Sequence, residues 1–403
     1  MRVRTATEDD LDRLLEIHLA AYPDPASVEV RRRYFTRNRF GTLKDLVVLE
    51  RGREIVANAF LFPLRTAFGG RPVKMGGIAS VAVAPEHRGQ GIATTLMERL
   101  HVISDERGDA LTMLYPFRQG FYARLGYAPA SPRKRLAIDA RSIPEAWRAL
   151  AVTRVRAMRP GDARGLREVH ARAVARSSGW TSRTKRGWEH FYLREHVTIL
   201  VAAASATVRG YLAFVMEQEH ANAETFAVVD EVVADDDETR RALLGALGAL
   251  RDQVAEIVLE VEDDDALDRA LVDPDGRRQG TADVPHSVGE MVAGPMVRIE
   301  DIPRALEARG YAGDGSFDVV VGELGAEPIL AAAVRVRDGQ AEVGPARGGP
   351  ALEASRAGLA AILYGGLSVT DGVALGLVRA EGRLAGVVDA IVRAPPLTSG
   401  DAF

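Results

Sequence analysis

The chain has 403 residues, of which 27% are charged and 47% hydrophobic, with a formal net charge of −4. This is more than one hydrophobic core usually fills, so we expect two or three domains. The small negative charge argues against a nucleic acid as the main partner. The absence of cysteine excludes disulfides, thiolate nucleophiles and cysteine-ligated zinc.

The chain offers no sign of export or of a membrane anchor. Its N-terminal stretch MRVRTATEDD is charged and lacks the apolar core of a signal peptide. No stretch approaches the roughly 20 apolar residues that span a bilayer. We therefore expect a cytoplasmic protein without a membrane span.

The first part of the chain predicts alternating helices and strands. Thr7 can cap a helix whose first turn is acidic, from Glu8 to Asp10, and leucines then follow at helical spacing. Two strands joined by a turn at residues 51–53 are predicted over 45–62. Further predicted elements are a strand at 76–83, a helix whose buried stripe runs from Ile92 to Ile103, and a strand at 110–114.

Two blocks of the sequence occur twice. VRTATEDDLDRLLEIHLAA at Val3–Ala21 recurs as VRAMRPGDARGLREVHARA at Val155–Ala173. SVAVAPEHRGQG at 80–91 has a counterpart in DEVVADDDETRR at 230–241. Both repeats have an offset of about 150 residues, which indicates a duplicated domain. The second copy has three aspartates, Asp235 to Asp237, where the first copy approaches its glycines.

A third segment begins near Met291. Its pattern predicts a helix at 301–309, strands at 317–321, 329–336 and 340–344, and a helix at 354–363. We therefore predict three domains of mixed α and β structure, with boundaries at 1–148, 149–290 and 291–403.

Residues 81–97, VAVAPEHRGQGIATTLM, place Gly89 and Gly91 where a predicted strand runs into a helix. The start of a helix has unpaired N–H groups that attract anions, phosphate especially. Glycine allows unusual backbone angles and lets a phosphate approach the chain closely. Arg88 can add positive charge at the rim, so the junction is suited to a diphosphate.

Two other interpretations of this junction are open. The simplest is a tight strand-to-helix turn that binds nothing. The second is a dinucleotide-binding loop, which the sequence disfavours. Thr94 stands where that loop needs its third glycine, and Asp109 precedes a predicted strand instead of ending one.

The pattern V-x-V-x-P-x-x-R-G-x-G-[IL]-A at 81–93 resembles the acetyl-CoA pyrophosphate loop of GNAT-superfamily N-acetyltransferases, and FYARLGYAPA at 121–130 is similar to the element that ends such domains. Over its whole length the chain resembles the Eis (enhanced intracellular survival) family, with further similarity at ALEARGYAGDGSF, residues 305–317. The resemblance implies an α+β architecture. It would comprise a catalytic GNAT domain, a degenerate GNAT-like domain and a sterol-carrier-protein-like C-terminal domain.

The resemblance also implies acetyl-CoA as cosubstrate. Main-chain groups of one strand would hold the pantetheine arm and the thioester carbonyl, and the loop and helix start would hold the pyrophosphate. The residues implied are Val81, Ala82, Val83, Arg88, Gly89, Gln90, Gly91, Ile92, Ala93, Thr94, Phe117 and Arg118.

Two catalytic groups follow from the same resemblance. Tyr122 would be the general acid for the departing thiolate, and a phenol with a pKa of about 10 carries its proton at neutral pH. The general base would be the C-terminal carboxylate of Phe403. An α-carboxyl with a pKa of about 3.3–3.7 is a weak base, so burial or a relaying water would have to assist it. Tyr127, in the same motif, is interpreted as a packing residue.

The resemblance implies polycationic amine substrates, with aminoglycosides first and polyamines or protein lysines as further possibilities. Asp24 matches a position of the family's substrate pocket, and Asp401 is near such a position. We expect no metal, because His18, His87 and His170 lack ligand spacing. A homohexamer is implied by the family alone.

Two further functions remain open at this stage. One is a non-catalytic acyl-CoA-binding protein, and the other is a lipid carrier, suggested by the third domain alone. An acetylation assay separates both from an enzyme.

Overall fold

The computed structural model describes residues 1–23, 27–193, 196–205, 207–218, 220, 223–274, 287–323 and 327–398. The chain divides into two compact units. The first unit comprises Met1–Ala130, Ser177–Trp188 and Gly294–Phe403, and the second comprises Ser131–Arg176 and Glu189–Ala293.

The elements follow one another in three stretches of the chain. Residues 1–130 contain β1 Arg2–Thr5, α1 Leu11–Ala21, α2 Val28–Thr36, β2 Leu46–Arg51, β3 Glu54–Phe68, β4 Arg71–Val83, α3 Ile92–Glu106, β5 Leu111–Leu114, α4 Gln119–Ala123 and β6 Ala128–Pro129. Residues 131–293 contain β7 Arg133–Ile138, α5 Glu145–Arg154, β8 Val155–Ala157, α6 Ala163–Ala175, α7 Lys185–Leu193, β9 Val197–Ala204, β10 Thr207–Gln218, β11 Thr225–Ala234, α8 Asp237–Leu247, β12 Glu256–Glu262, α9 Leu267–Ala270 and β13 Gly289–Val292. Residues 294–398 contain β14 Met296–Ile299, α10 Ile302–Ala308, β15 Gly315–Val321, β16 Leu330–Arg337, β17 Gln340–Pro345, β18 Ala351–Ala354, α11 Arg356–Tyr364, α12 Val369–Ala374, β19 Val378–Arg379 and α13 Leu384–Val392.

The first sheet has the strand order β1-β2-β3-β4-β5-β14-β6. Only β4 and β5 are parallel neighbours, and α3 is the crossover that connects them. α1 buries Leu14 and Ile17 in the core on one face of the sheet, and α3 buries Leu96 and Leu100 in the core on the other. Helices on both faces exclude water from the strands between them.

The predicted elements of this sheet are confirmed in kind and order. Thr7 precedes a 3-10 turn at Glu8–Asp10 that leads into α1, and the side chain of Asp10 bonds back to the Thr7 N–H at 2.7 Å. The strands β3 and β4 are longer than predicted, because the apolar runs used to predict them do not mark where their shared hairpin ends. The turn between them lies at Gly69 and Gly70.

The second sheet repeats the plan of the first, with the order β13-β7-β12-β11-β10-β9-β8. β11 and β12 are its parallel pair, and α8 connects them. The ion pair between Arg4 and Asp10 at 2.7 Å has a counterpart between Arg156 and Asp162 at 2.6 Å. These equivalences support the predicted duplication.

Two strands lie in a different sheet from the one their sequence position suggests. β7 follows the first repeat in the chain, yet it pairs with β12 and β13 in the second sheet. β14 precedes the third sheet, yet it pairs with β5 and β6 in the first. The sheets therefore divide the chain differently from the boundaries at 148 and 290, and the division into three separable domains stays a prediction.

The third sheet has the order β17-β16-β15-β18-β19. All its neighbours are antiparallel except β15 and β18. Phe317 and Val319 of β15 pack in one core with Leu359 and Leu363 of α11. After α13 the chain runs beside Ser178, whose carbonyl accepts the N–H of Thr398 at 2.8 Å.

Within the described ranges, every helix is too short or too polar to cross a membrane.

Candidate active site

β4 and β5 are paired along only part of their length. Their parallel pairing covers Met75–Ile78 of β4 and Leu111–Leu114 of β5. β4 continues to Val83, where it remains paired with β3. On the β5 side, residues 79–83 have no strand partner in the described part of the chain. This gap exposes main-chain groups to an extended ligand.

A bulge sets the direction of β4 at this gap. The register between β3 and β4 shifts between Asn58 and Phe60, and Ser80 adopts a φ of +53°. Such an angle is rare for a residue with a side chain and costs roughly 1–3 kcal/mol. The Tyr34 hydroxyl lies 2.7 Å from the Ser80 hydroxyl, and the Asn58 amide donates to the Ser80 carbonyl at 3.3 Å. These contacts hold the bulge in place.

Tyr22 contacts Val81, the residue that follows Ser80 in the bulge. Its hydroxyl donates to the Val81 carbonyl at 3.0 Å. Burial raises the pKa of Tyr22 to about 12, so this hydroxyl keeps its proton. Tyr22 follows directly after α1, which places the end of that helix against the bulge.

The loop between β4 and α3 contains the two glycines. A 3-10 turn at Pro85–His87 leads to Gly89 and Gly91, each with a φ of +76°. A β-carbon added at either position would meet no atom within 4 Å. Glycine is therefore required for its backbone angle and not for lack of space, and the volume beside the loop is open.

The start of α3 has no capping side chain, because its N-cap residue is Gly91. The first N–H bonded within this turn is that of Thr95, which donates to the Gly91 carbonyl at 3.0 Å. The N–H groups of residues 89–94 make no hydrogen bond to any other residue in the described ranges. Together with the helix dipole, these donors form a site suited to an anion.

The loop is held by its own side chains. Arg88 donates from Nε to the Val83 carbonyl at 3.2 Å and from Nη2 to the Ala20 carbonyl at 3.0 Å. Gln90 accepts from Arg51 at 2.9 Å. The sequence predicted Arg88 at the rim of the loop. The structure shows its exposed guanidinium also fastening the loop to β4 and α1.

Tyr122 lies on α4, which follows β5. Its side chain is 2% exposed, and its ring is in edge contact with those of Phe121 at 4.9 Å and Phe117 at 5.9 Å between centroids. Burial raises the pKa of Tyr122 above its ordinary value, and the Tyr22 phenol adds to the shift. Tyr122 is therefore a proton-carrying phenol on the segment after β5.

The remaining predicted residues divide into two groups. Phe117 and Arg118 lie on the segment that leads into α4, and Phe117 is 73% exposed beside Tyr122. Asp24, Asp401 and Phe403 lie outside the described residues. Tyr127, interpreted as a packing residue, is 1% exposed and its ring contacts that of Tyr122.

Sequence reasoning missed the residues that hold the bulge. Tyr22 could have been found, because it follows a predicted helix within the same segment as Asp24. Ser80 and Tyr34 carry no such signal, since the register of two strands decides that Ser80 takes a left-handed angle.

An exposed group of possible metal ligands lies next to the loop. Glu54, Glu86 and His87 place one ligand atom each within 4.8 Å of one another. Arg13 donates to Glu86 at 2.5 Å and to Glu54 at 3.4 Å. Arg13 therefore joins both carboxylates of this group in one ion-pair network.

Comparison with protein families identifies this arrangement. A family model for an acetyltransferase (GNAT) domain matches residues 2–130, and a second model, also for an acetyltransferase (GNAT) domain, matches residues 179–299. N-acetyltransferase Eis of Mycobacterium tuberculosis is 27% identical over 331 residues, which cover 78% of this chain and 77% of that protein. The chain is an Eis-like GNAT acetyltransferase.

Other relatives agree with this assignment. An uncharacterized N-acetyltransferase of Streptomyces avermitilis is 28% identical over 381 residues, which cover 87% of this chain and 86% of that protein. The same fold occurs in a GCN5-related N-acetyltransferase from Anabaena variabilis, with a TM-score of 0.81, 20% identity and 98% of each chain covered. Eis1 from Mycobacterium abscessus superposes with a TM-score of 0.75 at 19% identity, with 100% of each chain covered. The two GNAT domains and the similarity to N-acetyltransferase Eis show that the protein is an acetyltransferase enzyme.

Proposed function

We propose that this Eis-like protein transfers the acetyl group of acetyl-CoA directly to a primary amine of a polycationic small molecule, with aminoglycosides as the leading class. The observation that carries the proposal is the start of α3. There the amides of residues 89–94 have no acceptor in the described chain, and the space beside the α-carbons of Gly89 and Gly91 is open. No cysteine is present to form an acyl intermediate, which favours direct transfer.

These residues fit acetyl-CoA, which supplies the acetyl group. The amides of residues 89–94 would bind the diphosphate, with Arg88 and Arg51 adding positive charge nearby. The main chain of Val81, Ala82 and Val83 would pair with the pantetheine arm in the gap left by β5. A carbonyl oxygen has two lone pairs, so those of Val81 and Val83 can accept a further bond. Phe117 and Arg118 would contact the cofactor from the α4 side.

Tyr122 would donate the proton that the departing thiolate needs. The raised pKa keeps the phenol protonated throughout the neutral range, as a general acid requires. Its described contacts are aromatic rings and the Tyr22 phenol, and none of these is a base at neutral pH. A phenol that keeps its proton cannot take the proton of the acceptor ammonium, so the proposed mechanism needs a second group as base.

We propose the terminal carboxylate of Phe403 as that base, on the strength of the family resemblance. The last described residue of the tail is Thr398, whose N–H donates to the Ser178 carbonyl within the first unit. Deleting Phe403 should lower kcat and leave the affinity for acetyl-CoA unchanged. Full activity of the shortened enzyme with its best amine would refute the role.

Asp24 and Asp401 are the proposed acidic contacts to the amine. Carboxylates near the acceptor site favour substrates with several positive charges. Replacing each by asparagine should raise the KM for a polycationic amine more than the KM for a monoamine. Equal effects on both substrates would remove the two residues from the substrate site.

Other parts of the proposal rest on resemblance alone. We propose a sterol-carrier-like third domain with a structural role, and a homohexameric assembly that light scattering on the purified protein would test. A non-catalytic acyl-CoA- or lipid-binding protein is not favoured, because the protein belongs to a family of acetyltransferases.

Calorimetry with acetyl-CoA, followed by an acetylation assay across a panel of amines, tests the proposal as a whole. We expect saturable binding of one acetyl-CoA per chain and turnover with polycationic amines. A protein that ignores acetyl-CoA would refute the proposed site. Binding without turnover on any amine would refute the proposed substrate class.

A further inference from the structure

The main chain turns sharply after Tyr122. The Tyr122 carbonyl accepts hydrogen bonds from the N–H groups of Leu125 at 2.9 Å and Tyr127 at 3.2 Å. Gly126, between those two residues, has a φ of +86°. The backbone position of Tyr122 is therefore tied to this turn.

Two arginines beneath the turn come from far along the chain. Arg298, on β14, donates from Nε to the Leu125 carbonyl at 2.9 Å. Arg356, at the start of α11, donates to the carbonyls of Ile299 and Glu300 at 2.8 and 2.7 Å. Its Cδ would lie 3.2 Å from a β-carbon placed on the glycine of the turn. The turn thus rests on side chains that the matched 2–130 segment does not contain.

Glu300 balances the charge of Arg298. The two form an ion pair in which the glutamate side chain is 2% exposed and the arginine side chain 15%. Thr112, on β5, donates to the other carboxylate oxygen at 2.6 Å. Burying a charge without partners is costly, so these contacts hold Glu300 in one position, and Glu300 in turn holds Arg298.

A one-way chain of hydrogen bonds runs from this pair to Tyr127, whose ring contacts that of Tyr122. Thr112 has a single hydroxyl proton, which goes to Glu300, so Tyr127 must donate to Thr112 at 2.8 Å. The Tyr127 oxygen then accepts from Nε2 of His101 at 3.0 Å. Burial lowers the pKa of His101 to about 3, so this imidazole is neutral. The Tyr127 ring lies 6.0 Å from that of Tyr122 between centroids.

We propose that Arg298 and Glu300 are positioning residues that hold Tyr122 in its reactive place, through the Leu125 carbonyl and through the Tyr127 ring. This inference rests on the proposed role of Tyr122 as proton donor. It makes β14, from beyond the second repeat, part of the support of the active site in the first sheet. Small displacements of a reacting group cost large factors in rate.

The decisive variant is Arg298→Lys. Lysine can keep the ion pair with Glu300, but it has no second donor group to bond the Leu125 carbonyl. We expect kcat to fall about tenfold or more, while the KM for acetyl-CoA stays within about twofold. Arg304→Lys is the matched control. Arg304, on α10, donates to Asp105 at 2.8 Å and makes no contact with the turn, so its kcat should stay unchanged.

The same substitution in a Tyr122→Phe enzyme separates positioning from general stability. If Arg298 acts through the phenol, Arg298→Lys should lower kcat by less than about twofold in that background. An equal loss in both backgrounds would overturn the proposal, as would a lower melting temperature with unchanged kcat.

A milder pair of variants covers the case in which Arg298→Lys does not fold. Thr112→Val breaks the hydrogen-bond chain at nearly constant volume and should lower kcat, and Thr112→Ser should restore it. Equal kcat in the two Thr112 variants would contradict the proposal. If Tyr122→Phe alone left kcat unchanged, the proposed acid role would be refuted, and positioning would fall with it. A reduced kcat without coupling refutes positioning alone.

Discussion

The two copies of the repeat differ at the N-terminus of the helix that follows the bulged strand, which is α3 after β4 in the first copy and α8 after β11 in the second. The N-cap residue of α3 is Gly91, which has no side chain, and the first amides of that helix have no acceptor in the described chain. The N-cap residue of α8 is Asp236, whose carboxylate accepts the N–H of Thr239 at 2.8 Å. In the second copy a group of the chain itself thus takes the place that an external anion would need.

The strand before each helix shows that the difference is local. In the pairing of β10 with β11, Ala213 lies opposite Glu231 and the next residue, Phe214, lies opposite Val229. Asp230 therefore has no partner in β10 and is the bulged residue. It occupies the position of Ser80 in the repeat. β11 also continues beyond its parallel pairing with β12, as β4 does beyond β5. The second copy keeps the gap between its strands, while aspartates occupy the start of its helix.

The second copy also differs at the position that corresponds to Tyr122, the proposed general acid. α9, Leu267–Ala270, follows β12 as α4 follows β5, and its sequence is Leu-Asp-Arg-Ala. Asp235 beside the helix start forms a 2.8 Å ion pair with Arg172, which adds a second fixed carboxylate. We therefore expect one acetyl-CoA site per chain. A sheet and a gap are not sufficient for binding, because the helix start must also remain uncapped.

The largest effect is expected from Tyr122→Phe. This change removes the phenol from the first copy, and the second copy has no tyrosine at the corresponding position. We expect kcat to fall by roughly 10²–10⁴, the usual contribution of a general acid. Binding of acetyl-CoA, measured by calorimetry, should stay unchanged. Tyr211→Phe in the second unit is the matched control, and its kcat should equal that of the parent enzyme.

Gly91→Asp transplants the carboxylate of α8 onto the start of α3. We expect the Kd for acetyl-CoA to rise about 100-fold, because a carboxylate there competes for the amides and repels the diphosphate. Gly91→Ala measures the strain of a positive φ without the charge. Gly108→Asp introduces the same residue at the same φ of +76°, beyond the other end of α3. If Gly91→Asp binds as well as Gly91→Ala, the comparison of the two helix starts fails.

Asp236→Ala removes the cap from α8. We expect the free energy of unfolding to fall by about 1 kcal/mol, the usual value of an N-cap, with unchanged acetyl-CoA kinetics. The bonds from Thr239 hold the pKa of Asp236 below its ordinary value in the folded protein. The cap therefore stabilises the protein above about pH 4, and the difference from the variant should vanish as pH falls further. A difference independent of pH would contradict the charged cap.

The smallest effect is expected at the arginine–aspartate ion pair that both copies contain. Asp10→Asn and Asp162→Asn each remove an ion pair, and we expect a loss of about 1 kcal/mol or less from each. The Arg4 side chain lowers the pKa of Asp10 to about 2, so this contribution is present at neutral pH and disappears between about pH 4 and pH 2. Denaturant unfolding across that range measures it. Asp12→Asn, at an exposed pair with Arg32, should have almost no effect.

Much of the first sheet could be predicted from local patterns. The Thr7 cap, the leucines of α1 and the turn between the apolar runs of β2 and β3 all depend on near neighbours in the chain. The strand-to-helix turn at Gly89 and Gly91 was also predictable, and both glycines have the left-handed backbone angle that such a turn uses. Their role in binding a diphosphate stays a prediction. The repeat was visible because the ion pairs and the buried histidines recur in register.

The support of the active site could not be predicted in this way. The bulge at Ser80 depends on pairing with β3, and its partners Tyr34 and Asn58 lie in separate elements. Arg298 contacts the turn at Leu125 only because β14 inserts beside β5. Neither contact leaves a mark in the local sequence of the residues involved.

The sequence by itself determined the main elements of the first sheet, the duplication, the glycine loop and the resemblance to Eis-type acetyltransferases. Each of these can be recognised from short motifs and from the spacing between them. The tertiary structure alone decided which strand lies beside which, and therefore which distant side chains hold Tyr122 and the bulge. Hydrophobic patterning makes a strand but does not choose its neighbour. The pairing of β7 in the second sheet and of β14 in the first could be learned only from the folded structure.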